Sequence, residues 1–148
     1  MSETPHRPSR TAVPASLYGG GRVSAARRAI ATALGTIDAA FTVEDLHAAV
    51  LATQAGIGVA TVYRAVGAMA ATGSVAPVGT RDGSTLYARC AGGSHHHHLV
   101  CTGCGAVVGI ACPVDSALLH SAEKAGYTVT AHEVTLYGLC STCAKERA

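Results

Sequence analysis

Two C-x-x-C pairs, Cys101/Cys104 and Cys140/Cys143, lie about one helix and one strand apart, and this spacing limits the possible folds more than any other feature of the chain. Four thiolates so arranged can close a tetrahedron around zinc, and Gly103 inside the first pair lets backbone amides turn toward sulfur. A redox dithiol or a disulfide is the other use of such a pair, but two knuckles in one small domain point to structural zinc. Folding of that region is then tied to metal binding.

All six Cys and six of the eight His lie from Cys90 onward, whereas residues 24–86 contain no Cys, so the chain divides near 87–93. Its 148 residues suffice for one ordinary domain or two small ones, and two small ones need metal or a partner subunit beside their cores. The hydrophobic fraction is 49% and mean hydropathy +0.30, yet no apolar run reaches the ~18 residues of a membrane span. The first residues carry Arg7, Arg10 and Arg22 among Pro and Gly, without an apolar signal segment. A disordered basic tail over 1–21 and a cytoplasmic protein are expected. The net charge of +2 is too small to argue for nucleic acid without a local face that would bind it.

Helical punctuation dominates the first half. Ser24 can cap a helix through Arg28, Ile30 and Leu34 that stops at Gly35, and Thr42 can cap a second, with Glu44 and Asp45 at the positive end of its dipole and Val43, Leu46 and Val50 on one face. In a third, over 59–71, Val59, Val62, Val66 and Met69 form an apolar stripe. Ala60, Arg64, Gly67 and Ala71 then face outward, with Tyr63 on the flank. A face that bare can approach a groove of DNA closely, where Arg64 offers a bidentate donor and Tyr63 a ring, although a plain solvent-facing helix would look similar. Segments 74–78 and 84–87 flank a turn at Arg81-Asp82-Gly83 and predict a hairpin. Three helices and a hairpin describe a winged helix-turn-helix over 22–88.

After a hinge at 89–94, residues 95–148 predict strands at 98–101 and 106–110, a helix opened by Pro113 and ended by Gly126, and a strand over 127–139 whose alternation slips at His132-Glu133. The fold class expected is α+β, an N-terminal winged helix with a C-terminal α/β dimerisation domain. As a strand, the run 95–98 sends His95 and His97 to one face and His96 and His98 to the other. Cys90 is the natural third ligand for His96 and His98, and its soft thiolate favours zinc over iron. Asp115 and His132 can join His95 and His97. The plainer alternatives are a solvated His tract, a helix-capping Asp115 and a surface His132. Nothing resembles a Ser-His-Asp arrangement, a phosphate loop or a catalytic acid pair.

"GVATVYRAV" at 58–66, "YARC" at 87–90, "HHHHLVCTGCG" at 95–105 and "YGLCSTC" at 137–143 together resemble the ferric uptake regulator family over residues 22–143, and Cys90 with the His run resembles its zinc-uptake branch. The resemblance implies a non-enzymatic, zinc-responsive repressor that controls zinc uptake and homeostasis genes. It would bind AT-rich palindromic operator DNA as a homodimer with two to three zinc ions per subunit. Residue by residue, it implies structural zinc at Cys101, Cys104, Cys140 and Cys143, a hinge sensory site at Cys90, His96 and His98, and a further site at His95, His97, Asp115 and His132. On the DNA side it implies Thr61, Tyr63 and Arg64 on the recognition helix, Arg22 at the minor groove and Arg27 on phosphate. An Asp common as fourth hinge ligand is here Ala76, with Asp82 a possible substitute, and Asp115 aligns only across a one-residue gap. Cys112 matches no site and is expected to be a buried apolar residue or a spare ligand. Iron, nickel or peroxide sensors are rivals within the family; a zinc ribbon and a thiol redox protein are rivals outside it.

Overall fold

A computed structural model describes residues 15–20, 22–90 and 95–147. Helix α1 (Ala25–Leu34) begins where the Ser24 hydroxyl accepts the Arg27 amide at 3.2 Å. Helix α2 (Val43–Leu51) has a reciprocal cap: Asp45 donates its amide to Thr42 Oγ1 at 3.2 Å, and Thr42 donates its own to Asp45 Oδ2 at 2.9 Å. Helix α3 (Val59–Ala71) buries Val62, Ala65, Val66 and Met69. Val59, expected on that stripe, is 40% exposed at the first turn, and Ala65 fills the stripe beside Val66.

The wing is a hairpin of β1 (Val75–Arg81) and β2 (Ser84–Arg89). Asp82 and Gly83, with φ of 51° and 82°, make the two-residue turn whose twist suits antiparallel strands. Pro77 cannot donate to the ladder, and the register shifts between Pro77 and Gly79. Phe41, Ile30, Leu46, Met69, Val50, Val62, Val66 and Val75 are almost wholly buried in the core of this half, at about 1.5–3 kcal/mol of burial free energy each.

The tail expected over 1–21 is ordered at its end. A 3-10 turn at Ala15–Tyr18 docks because the Leu17 carbonyl accepts Thr72 Oγ1 at 2.9 Å and Tyr18, buried, donates its hydroxyl to the Arg27 carbonyl at 2.8 Å. Residues 1–14 and 21 of that tail, and 91–94 of the expected hinge, lie outside the described residues.

The second half contains β3 (His97–Cys101), β4 (Val107–Ile110), α4 (Ser116–Lys124), β5 (Thr135–Gly138) and α5 (Ser141–Glu146). The sheet order is β4-β3-β5, with β4 antiparallel and β5 parallel to β3. The strand expected over 127–139 is regular only at its end. β3 pairs with β5 from His98 to Cys101, so residues before Thr135 have no described strand beside them, and the Val134 amide goes to His97 Nδ1 at 3.0 Å instead. Among the described residues this half buries only His97, His98, Val100 and Cys101. Its interior is therefore largely imidazole and thiol. A small apolar cluster of Ala40, Val78, Ala88 and Val100 joins it to the wing, with Ala40 donating its amide to the Gly105 carbonyl at 2.8 Å and the Tyr137 hydroxyl donating to the Val78 carbonyl.

Candidate metal centres and nucleic-acid interface

Cys101 ends β3, and Cys104 follows a tight turn closed by Gly105 at φ 74°. Cys140 is the N-cap of α5, its sulfur accepting the Cys143 amide at 3.5 Å, so the second knuckle doubles as a helix start. All four thiol sulfurs lie within 4.8 Å of one another, with Cys104 and Cys140 3.9 Å apart. A zinc tetrahedron with bonds of about 2.3 Å has sulfur–sulfur edges of about 3.8 Å, so the donor set fits zinc. The Cys140 amide, donating to Cys101 Sγ at 3.2 Å, leads the effects that hold the Cys101 thiol down to about 6, while a hydrogen bond with the Cys140 side chain leads those that push Cys143 up to about 12. The Cys101 thiolate thus forms readily at neutral pH. A Cβ on Gly103 would stand 2.8 Å from Cys143 Sγ, so the turn needs glycine for space.

The second cluster spans the junction of the halves. Cys90 follows β2 and donates its amide to the Ser74 carbonyl at 2.9 Å; its Sγ lies 3.8 Å from His98 Nε2, and the His96 and His98 rings are 5.1 Å apart. Their ligand atoms all fall within 4.8 Å. Burial pushes the Cys90 thiol up, and desolvation leads the causes that hold His98 low, so at neutral pH the imidazole is uncharged and the thiol protonated. No fourth His, Cys, Asp or Glu joins this group among the described residues. Ala76 pairs with Ala88 in the hairpin and has no donor, and Asp82 sits at the hairpin tip, a strand's length of about 20 Å from Cys90.

A third cluster gathers His95, His97 and His132 as expected, but with Cys112 in the position expected for Asp115. Asp115 instead caps α4, its Oδ1 accepting the Leu118 amide at 2.9 Å, which satisfies an otherwise free first-turn amide. Cys112 is exposed, not a buried apolar residue. His97 Nε2 is buried without a hydrogen-bond partner, which fits a ligand atom awaiting a cation. Because His97 Nδ1 accepts the Val134 amide, the ring carries its proton on Nε2, and coordination there requires moving that proton to Nδ1 and releasing the amide.

On α3, Thr61, Tyr63 and Arg64 share the outer turns. Arg64 donates to Thr61 Oγ1 at 3.1 Å, and the Tyr63 hydroxyl to Glu44 Oε1 on α2 at 2.6 Å. Arg22 is exposed, and the Arg27 guanidinium lies 4.9 Å from the Tyr18 ring centre. Sequence reasoning missed Glu44 as a partner of this face; its position in the first turn of α2 had suggested only a dipole role.

A winged helix-turn-helix joined to an α/β module rich in metal ligands defines a class of protein, the metal-responsive transcription regulators. The sequence profile of the ferric uptake regulator family matches residues 19–137. The zinc uptake regulation protein of Mycobacterium tuberculosis is 35% identical over 127 residues, covering 84% of this chain and 95% of the relative. The ferric uptake regulation protein of Bordetella parapertussis is 32% identical over 105 residues, or 70% and 75% of the two chains. A zinc uptake regulator complexed with zinc and DNA shares the fold at a TM-score of 0.70 and 23% identity over 85% of each chain. The chain belongs to the ferric uptake regulator family, whose members are transcription regulators and not enzymes.

Proposed function

We propose that this chain is a zinc-responsive repressor that binds operator DNA as a homodimer in the cytoplasm and controls zinc uptake and homeostasis genes. The observation that carries this reading is the Cys90, His96 and His98 cluster, which ties the end of the wing to the first residues of the second half. Zinc held by these three side chains would supply a cross-link between the halves with no redox chemistry. Cys90 contributes the soft donor that separates zinc from iron, while His96 and His98 hold β3 at a fixed angle to the hairpin. Cys101, Cys104, Cys140 and Cys143 hold the structural ion, and His95, His97 and His132 bind a further one, giving two to three per subunit.

The similarity to the Mycobacterium zinc uptake regulation protein supports zinc as the sensed metal. Thr61, Tyr63 and Arg64 would enter the major groove of an AT-rich palindrome, with Arg22 at the minor groove and Arg27 on phosphate, so that phosphate contacts set register and the helix sets sequence preference. Dimerisation follows from unburied apolar surface. α4 buries none of its residues, and Val108, Leu118, Tyr127, Val129 and Leu136 are all exposed, a surface suited to a second copy. No helix among the described residues is long and apolar enough to cross a membrane.

The test is operator binding under buffered free zinc, with the tight structural ion counted first and Cys90→Ser compared. We expect zinc to raise affinity steeply and the variant to lose that response while keeping its structural zinc. Zinc-independent binding would leave the four-cysteine site as scaffold alone. A switch that answers to iron, nickel or peroxide would assign the chain to a different branch of the family.

A further inference from the structure

Cys112 lies on the irregular stretch between β4 and α4. β4 ends at Ile110, so the chain has left the sheet before Cys112, and the irregular stretch ahead of Pro113 brings Cys112 Sγ to 3.1 Å from His132 Nε2. His95 Nε2 stands 2.8 Å from the same nitrogen. The His95 and His97 rings meet edge-on at 4.5 Å, and His97 Nε2 adds the buried, unpartnered nitrogen. Three imidazoles and one thiol therefore converge on a volume a single cation would fill, with every ligand atom within 4.8 Å of the others. Asp115, the fourth ligand expected from the resemblance, has an oxygen committed to the first turn of α4.

We propose that Cys112, not Asp115, completes this centre, making it a three-histidine, one-cysteine site for a borderline divalent cation such as zinc or cobalt. The proposal rests on the reading that this cluster binds metal. On binding, the thiol loses its proton to solvent as the sulfur–metal bond forms, so one thiolate and three neutral imidazoles leave a net charge of +1 on the complex. A set without oxygen donors disfavours magnesium, calcium and manganese, and its single soft donor tilts it from iron toward zinc.

The probe is cobalt(II), whose bound thiolate gives a charge-transfer band in the near ultraviolet and whose tetrahedral ligand field gives visible bands. The Cys90→Ser protein, with one zinc per chain kept in the four-cysteine site, is titrated with cobalt alone. Visible bands that vanish on adding His132→Ala identify this centre. We expect them to come with charge transfer that Cys112→Ser abolishes and Asp115→Asn, which keeps the cap, leaves intact. Cobalt bound here without charge transfer, or charge transfer insensitive to Cys112→Ser, overturns the proposal and leaves the metal-site reading standing. Failure of cobalt to bind in any way sensitive to His132 overturns both.

Discussion

Burial pushes the Cys90 thiol above its ordinary value of 9.0, so at neutral pH it holds a proton that an incoming metal must displace. His98 is held below 6.5, chiefly by desolvation, and is already neutral there. Zinc affinity at the hinge should therefore rise by about tenfold per pH unit between about pH 7 and 8, one proton leaving per ion, and Cys90→Ser should flatten that slope. Competition with a chelator at each pH reads it, and a flat profile for the unmodified protein would contradict the assignment of Cys90. In the structural site, Gly103→Ala would drive a methyl group against Cys143 Sγ. Zinc content should drop below one structural ion per chain and Tm should fall; unchanged values would mean the turn can yield. The four-thiolate site was legible because its spacing alone implies a tetrahedron. For Cys112 the sequence offered a spare ligand without its partners, because an irregular stretch between strand and helix has no periodicity from which a side chain's direction can be read.

Among the elements, those with their own local signals were the ones the sequence disclosed. Ser24, and Thr42 with Asp45, cap their helices, and Asp82-Gly83 turns the hairpin, because each satisfies backbone groups within a few residues. β5 was overextended, since its limits depend on which strand lies beside it and the Val134 amide finds an imidazole rather than a carbonyl. The α5 start was hidden inside a metal motif, Cys140 serving as both ligand and cap. The pairing of α2 with α3 through Glu44 and Tyr63 was equally hidden, because it spans 19 residues. The phenol's hydrogen bond keeps Glu44 readily ionised, so a negative charge faces the proposed groove beside Tyr63. Glu44→Gln should raise operator affinity by about fivefold as repulsion of phosphate is relieved, measured by titration at fixed salt. An unchanged affinity would mean that Glu44 stands clear of phosphate.

Across the whole molecule, the two halves are stabilised differently. The first has an apolar core around Phe41, Leu46 and Met69, whereas the described residues of the second bury two imidazoles, a thiol and Val100. Stripping the four-cysteine zinc should thus unfold the second half while α1 to α3 persist, seen as hydrogen exchange gained from β3 to α5 and retained protection in the helices; uniform loss would mean one cooperative unit. Coupling between halves has a physical route in the Cys90 cluster, the Tyr137–Val78 hydrogen bond and the Ala40–Gly105 pairing, all of which cross the junction. If zinc at the hinge selects the DNA-binding arrangement, thermodynamic reciprocity requires operator DNA to tighten hinge zinc by the same factor that zinc tightens DNA. The direct measurement is zinc affinity of the hinge site with and without saturating operator, set against DNA affinity with and without zinc. Equal factors, both lost in Cys90→Ser, are the predicted result. Hinge zinc affinity indifferent to operator DNA would contradict the account.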